Sequence, residues 1–204
     1  MVLLVAIVVS LAIGFATGGS LDGVRRIGRI RYLPLLILAL LVQIAIFSPL
    51  LGRQPLIHDI GPYLHIATIL TSFLVMTRNF HIPGMPVIAF GAALNALAIV
   101  ANGGYMPSPE DALRESGQYE HVHITEEERA TDDYVQTNST VANDGTNLRF
   151  LGDVIPIPEA IPLANVVSLG DIFIDLGAAI AIIRVMHLGK ARDDEENELK
   201  RQIE

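Results

Sequence analysis

The chain has 204 residues, 51% of them hydrophobic and only 18% charged, with a mean hydropathy of +0.46; that is too apolar for an ordinary soluble domain and points to an integral membrane protein. Its formal charge of −8 comes from acids gathered near the middle and in the C-terminal tail, and no basic, aromatic-interleaved surface suited to nucleic acid is present. Cysteine is absent, which excludes disulfides, thiolate zinc sites and cysteine nucleophiles; tryptophan is absent too, so an interfacial aromatic belt falls to Tyr32, Tyr63, Tyr105 and a few phenylalanines.

Residues 2–17, VLLVAIVVSLAIGFAT, form an unbroken apolar run with no basic residue before it and a basic cluster after it. That polarity is the reverse of a signal peptide, so the run reads as a short retained helix with its N-terminus outside, closed by Gly18 and Gly19. Arg25, Arg26, Arg29 and Arg31 then hold the first connection on the cytoplasmic side. A second span is expected from Tyr32 to Leu51, with Pro34 in its first turn and Gln43 as its lone polar interruption. An outer connection with Arg53, His58 and Asp59 leads to a third span, Ile60 to Thr77, which carries His65, Thr68, Thr71 and Ser72. Arg78, Asn79 and His81 make a tight inner turn before Pro83 and Pro86, and a fourth span from Val87 to Ala101 is rich in small residues that allow close helix packing.

Residues 102–164 are the one sizeable hydrophilic region, expected as an extracytoplasmic loop or small helix-containing cap. Its acidic middle contains Glu126, Glu127, Glu128, Asp132 and Asp133, and the pair His121 and His123 reads as a solvated loop rather than a metal site. Its two ends differ: NGGYMP at 102–107 and FLGDVIPIPEAIP at 150–162 have the Gly, Pro and apolar content of ordered backbone against the membrane face.

The fifth span, Asn165 to His187, is long enough to cross a bilayer yet contains Asp171 and Asp175, four residues apart and so on one helix face. Each costs roughly 2.5–3.5 kcal/mol on insertion scales, so an intramembrane Asp is a site hypothesis by default. With a helix starting at Asn165, Asp171 lies roughly 9 Å in and Asp175 roughly 15 Å in. The same reckoning allows a middle layer of Gln43, Thr68, Thr71, Asn95 and Asp175, and an outer layer of Tyr63, His65, Asn102 and Asp171. Residues 191–204 form a charged cytoplasmic tail behind a single bundle spanning 1–190.

Orientation follows from the basic residues. Arg25, Arg26, Arg29, Arg31, Arg78, Arg184, Lys190, Arg192, Lys200 and Arg201 fall inside, against Arg53, Arg114, Arg129 and Arg149 outside. The fold expected is all-α and integral to the membrane: about five transmembrane helices, N-terminus outside, C-terminus cytoplasmic, and one long extracytoplasmic loop between helices 4 and 5.

Three linked motifs, NGGYMP, then LGDVIPIP, then NVVSLGDIFIDLG opening the last helix, resemble an uncharacterised bacterial multi-pass membrane family known only as a domain of unknown function. The resemblance covers residues 1 to about 190 and implies a small polytopic protein of the bacterial cytoplasmic (inner) membrane; it carries over no catalytic residue. The matching positions are Asn102, Gly103, Gly104, Met106 and Pro107, then Gly152, Asp153, Ile155 and Pro156, then Ser168, Gly170 and Asp171.

Candidates for a polar site or structural clasp are His65, Asn95, Asn102, Gly103, Gly104, Asp153, Ser168, Asp171 and Asp175. In the structural reading Asp153 accepts amides of the glycine turn; in the functional one Asp153, Asp171 and Asp175 line a cavity for a cation, a proton or a polar headgroup. His65 is placed to pair with Asp171. Nothing matches a nucleophile elbow, a phosphate loop, a zinc-protease helix or a dinucleotide fingerprint, and no cofactor is indicated. The leading reading is a non-enzymatic accessory subunit or scaffold of a larger membrane assembly, its partners membrane lipids and other membrane-protein subunits, with no nucleic acid. A small transporter, channel or ligand-binding protein using the aspartates comes second, and an intramembrane enzyme on an apolar substrate third, with His65, Asp153 and Asp171 as acid or base.

Overall fold

Proline and glycine set the helix boundaries. In the computed structural model, which describes residues 2–26, 29–122 and 135–203, three long helices begin with proline in the first turn: α2 (Leu33–Ile46), α3 (Pro55–Thr77) and α4 (Met85–Ala101). First-turn amides have no partner inside a helix, so proline loses nothing there. Before them comes α1 (Val2–Ala16), followed by a 3-10 turn, Leu21–Arg26. Among the described residues one helix, α3, is long and apolar enough to cross a membrane; α1, α2 and α4 are apolar but shorter.

Two short helices follow, α5 (Glu110–Glu115) and α6 (Tyr119–Val122), and the chain ends in α7 (Leu169–Ile203), which continues through the charged tail. Mostly helical, the protein is nonetheless not all-α. Strand β1 (Met106–Ser108) pairs in parallel with β2 (Ser139–Val141), and β3 (Asp153–Ile157) pairs antiparallel with β4 (Asn165–Ser168). The region between α4 and α7 is therefore an ordered cap over its described residues. His123 and the acidic run from Glu126 to Asp133 lie outside them.

The long helices pack in a row, in the order α1, α7, α4, α3, α2. Small residues make the central crossing: a Cβ on Gly91 would strike the Gly170 carbonyl oxygen and lie 2.9 Å from the Ile174 nitrogen, and one on Gly177 would lie 2.7 Å from the Ile88 nitrogen. Backbones thus touch along α4 and α7. Midway along α7, Gly14, Gly19 and Gly23 admit Met186 and Val185 in the same way. Asn79, 1% exposed, ties two connections together: its oxygen accepts the Arg31 amide at 2.8 Å and its nitrogen donates to the Arg31 carbonyl at 3.0 Å.

A single row leaves apolar side chains uncovered on many helix faces. Leu4, Val8, Leu38, Leu41, Leu74, Phe90, Leu97 and Leu176 are all exposed, and only 22% of the most apolar stretch of α3 is buried. Two apolar clusters fix the cap instead. Ala98, Ile99, Met106 and Leu151 weld it to the end of α4, and Ala112, Leu113 and Val166 form its own small core.

Several boundaries differ from those expected. Helix α2 stops at Ile46 instead of Leu51. Helix α3 starts five residues before Ile60, because Pro55 seeds its first turn and the helix tolerates Pro62 in its interior. The last helix starts at Leu169, since Asn165 to Ser168 pair with β3. Asp171 is therefore in the first turn of α7, and its expected depth of roughly 9 Å is replaced by a place at the helix mouth.

Candidate functional site

The start of α7 is written in Ser168-Leu169-Gly170-Asp171. Ser168 Oγ accepts the Asp171 amide at 2.9 Å while Asp171 Oδ2 accepts the Ser168 amide at 3.1 Å, a reciprocal capping box. Asn95, from α4, closes the arrangement: its Nδ2 donates to Asp171 Oδ1 at 2.8 Å and its Oδ1 accepts the Ser168 hydroxyl at 2.9 Å. Asn95 thus joins two residues 73 and 76 positions further on in a ring of four hydrogen bonds, with Ser168 wholly buried. Gly170 leaves the room, because a Cβ there would overlap Asn95 Oδ1. An anionic carboxylate in the first turn is also favoured by the helix dipole.

The NGGYMP turn does a different job from the one expected of it. Gly103 and Gly104 send their amides back to the Val100 and Ile99 carbonyls, capping α4, so Asp153 accepts neither. Both glycines are left-handed, at φ +66° and +101°. The Gly104 backbone lies against Pro62 of α3, and its carbonyl accepts a hydrogen bond from His65 Nδ1 at 2.8 Å. His65, 5% exposed, is therefore bonded to Gly104 and not to Asp171, and Phe47 meets its ring edge-on at 4.9 Å. Asn102 joins a second clasp: its Nδ2 donates to the Asn147 carbonyl at 2.8 Å and its Oδ1 accepts the Asn147 amide at 2.9 Å.

Between the mouth of the helix row and the cap lies a cavity of about 800 Å³. Its wall brings together four of the nine candidates, His65, Asn95, Asp153 and Asp171. Asn102, Gly103, Gly104 and Ser168 support that wall from behind, while Asp175, half-buried a turn further along α7, is not part of it. The expected middle layer also separates: Gln43 Nε2 donates to Thr68 Oγ1 at 3.1 Å, Thr71 bonds its own helix at Ala67, and Asn95 serves Asp171 rather than Asp175.

Several wall groups keep hydrogen-bonding capacity in hand. His65 Nε2, the Ser108 hydroxyl and the Asp153 carboxylate make no hydrogen bond with any described residue. No described side-chain nitrogen or oxygen is both sealed and unbonded, so although His65 and Ser108 are 5% and 1% exposed, these atoms open on the cavity they line. With Nδ1 donating to a carbonyl, Nε2 of a neutral His65 ring is an acceptor. Burial, and then the charge of Asp171, push the Asp153 carboxyl up to about 7. The rest of the polar wall includes Glu120, His121, Gln136 and Asn165.

Ser108, Gln136 and Phe47 join the site without having been singled out in the sequence. Ser108 follows the NGGYMP motif by a single residue, which was the available signal; Gln136 and Phe47 carry none, since they arrive from distant segments. Among the described residues no group of three or more His, Asp or Glu side chains is placed to hold a metal ion.

A family model described as a family of unknown function, DUF5317, matches residues 28–183, more than half of the chain and all of the site. No curated protein and no solved structure matches.

Proposed function

The chain belongs to the DUF5317 family of unknown function, and we propose from its own geometry that it is a multi-pass membrane protein with five spans and a capped ligand-binding cavity on its outer side. Membrane insertion accounts for the single row of helices. Contiguous Leu, Ile, Val and Phe over many helix faces would be an aggregation liability in water, whereas acyl chains cover them at no cost. Helix α3 argues the same way, because the core helix of a soluble protein would be mostly buried. The excess of Lys and Arg at the opposite end from the cavity supports a cap on the outer side.

The observation that carries the binding reading is the unspent wall: His65 Nε2, Ser108 Oγ and Asp153 face one 800 Å³ space with no protein partner among the described residues. Buried polar groups are ordinarily satisfied, and a concave site with a few convergent polar groups is where a ligand satisfies them. The test is thermal unfolding of purified protein in lipid nanodiscs across a panel of small polar compounds. Saturable stabilisation by one class, lost in Asp153→Asn, is expected; a panel that leaves both proteins unmoved rejects a binding role.

The accessory-subunit reading has its own support in the Ser168, Asp171 and Asn95 ring, whose hydrogen bonds are closed upon themselves as a purely structural device requires. Mild extraction from native membranes separates the two. A stoichiometric partner protein that stabilises the chain with the cavity left indifferent to Asp153→Asn favours the scaffold.

A further inference from the structure

We infer that the cavity takes a small organic cation, a molecule bearing an ammonium or guanidinium group on a short carbon skeleton; this rests on the binding reading above and names its ligand class. Among the described residues of the wall, those that carry a formal charge are all acids. Asp153 and Asp171 contribute carboxylates from the β3 end and the α7 mouth, Glu120 adds a third from α6, and no Lys or Arg is among the described residues that line it. Asp171 is pinned by Asn95 and the Ser168 amide, so its charge is fixed in place, and its two oxygens retain lone pairs beyond those two bonds. Asp153, less exposed than Glu120, is a carboxylate without a hydrogen bond to any described residue and so is left to meet a ligand directly. His65 Nε2 and Ser108 Oγ add neutral acceptors that are nine-tenths buried and open inward.

The alternatives fit this wall less well. Among the described residues of the wall an anion would meet three acids and no countercharge, which desolvation and repulsion both oppose. A bare metal ion needs several donors converging within about 2.6 Å, and no described cluster of three supplies them. A volume of about 800 Å³ is also far larger than an ion requires and lies in the range that encloses small organic ligands. Phe47, Ile99 and Val166 line the remaining wall, offering apolar contact to a carbon skeleton.

The ammonium has two sources: a free amine from outside, or the headgroup of an aminophospholipid entering from the outer leaflet. The experiment uses full-length protein in nanodiscs of phosphatidylglycerol alone, followed by circular dichroism on heating. In one arm 1,4-diaminobutane is titrated; in the other, phosphatidylethanolamine is built into the disc. Glycerol and glutarate are the neutral and anionic probes. A rise in midpoint with diaminobutane identifies a free amine, and a rise with phosphatidylethanolamine alone identifies the headgroup; either supports the inference. Asp153→Asn should weaken the effect by roughly tenfold or more, the loss expected for one charge-assisted bond. Glu120→Gln, on an exposed helix face, should weaken it less and provides a folded comparator if Asp153→Asn fails to assemble. Stabilisation by glycerol or glutarate with none from either ammonium, and with Asp153 or Glu120 still required, overturns the cation and leaves the binding reading standing. No response to any probe in wild type overturns both.

Discussion

Asp153 holds an unusual position for a carboxylate, inside a wall and without a protein donor among the described residues. Its proton affinity is raised to about 7 by burial and by Asp171, against an ordinary value near 3.8. Between about pH 4 and pH 7 the folded chain therefore binds a proton at this residue that the unfolded chain has lost, and stability falls as pH rises through that window. The contribution is fully present below the unfolded value and gone above the folded one. Wild-type protein should lose on the order of 2–4 kcal/mol from this group between pH 4 and pH 8, and Asp153→Asn should flatten that part of the profile. Every other titratable group is shared by the two proteins, so the difference between their unfolding curves belongs to position 153. Parallel curves would mean that the carboxyl is as well solvated in the native state as in the unfolded one.

At the level of elements, the sequence revealed what periodicity and composition can carry and missed what depends on distant partners. Five apolar runs announced five long helices because nothing but a helix satisfies the backbone of such a run in an apolar setting. The strands of the cap were invisible: three to five residues long, broken by Pro107 and Pro156, they show no alternation to read. Asn165 to Ser168 was absorbed into a helix because its valines continue the apolar run, although the Ser168-x-x-Asp171 capping box marked the true start. The expected bond from His65 to Asp171 failed for another reason, since the acceptor that reaches it is the backbone of Gly104, 39 positions away. That turn makes a sharp contrast between neighbours. Gly103, at φ +66° with nothing within 4 Å of a Cβ, should accept alanine at a cost of about 1–2 kcal/mol, the penalty of the left-handed region alone. Gly104, at φ +101°, would place a Cβ 2.7 Å from the Pro62 Cβ and carbonyl oxygen, so alanine there must also push the turn off α3 and its carbonyl off His65. Its cost should exceed that of Gly103→Ala by a further 1–3 kcal/mol or so, read by chemical unfolding of each variant. Equal costs would show that the turn can slide along α3 without consequence.

For the whole molecule, the proposed membrane reading turns on which of the apolar helices would cross a bilayer. Helix α3, at 23 residues, is about 34 Å long and matches a hydrocarbon core of about 30 Å. Helices α1, α2 and α4, at 15, 14 and 17 residues, reach only about 21–26 Å, so they cross only if the bilayer thins around them or their flanking residues reach into the interface. The row is consistent with that: the ends of α2 and α4 and the mouth of α7 come together with α3 at one cavity, as alternating spans require. Because the chain has no cysteine, single cysteines can report the side of each connection without altering a native thiol. Gln54→Cys and Asp111→Cys, both at exposed positions, should react with a membrane-impermeant maleimide on intact cells, whereas His81→Cys, exposed in the turn between α3 and α4, should react only after permeabilisation. Gln54 and His81 bracket α3, and His81 and Asp111 bracket α4, so each pair judges one helix by itself. If His81 and Asp111 label from the same side while Gln54 and His81 do not, α3 crosses and α4 does not; the cavity wall built from Asn95 and Asp171 would then sit at the interface, open to headgroups along its length.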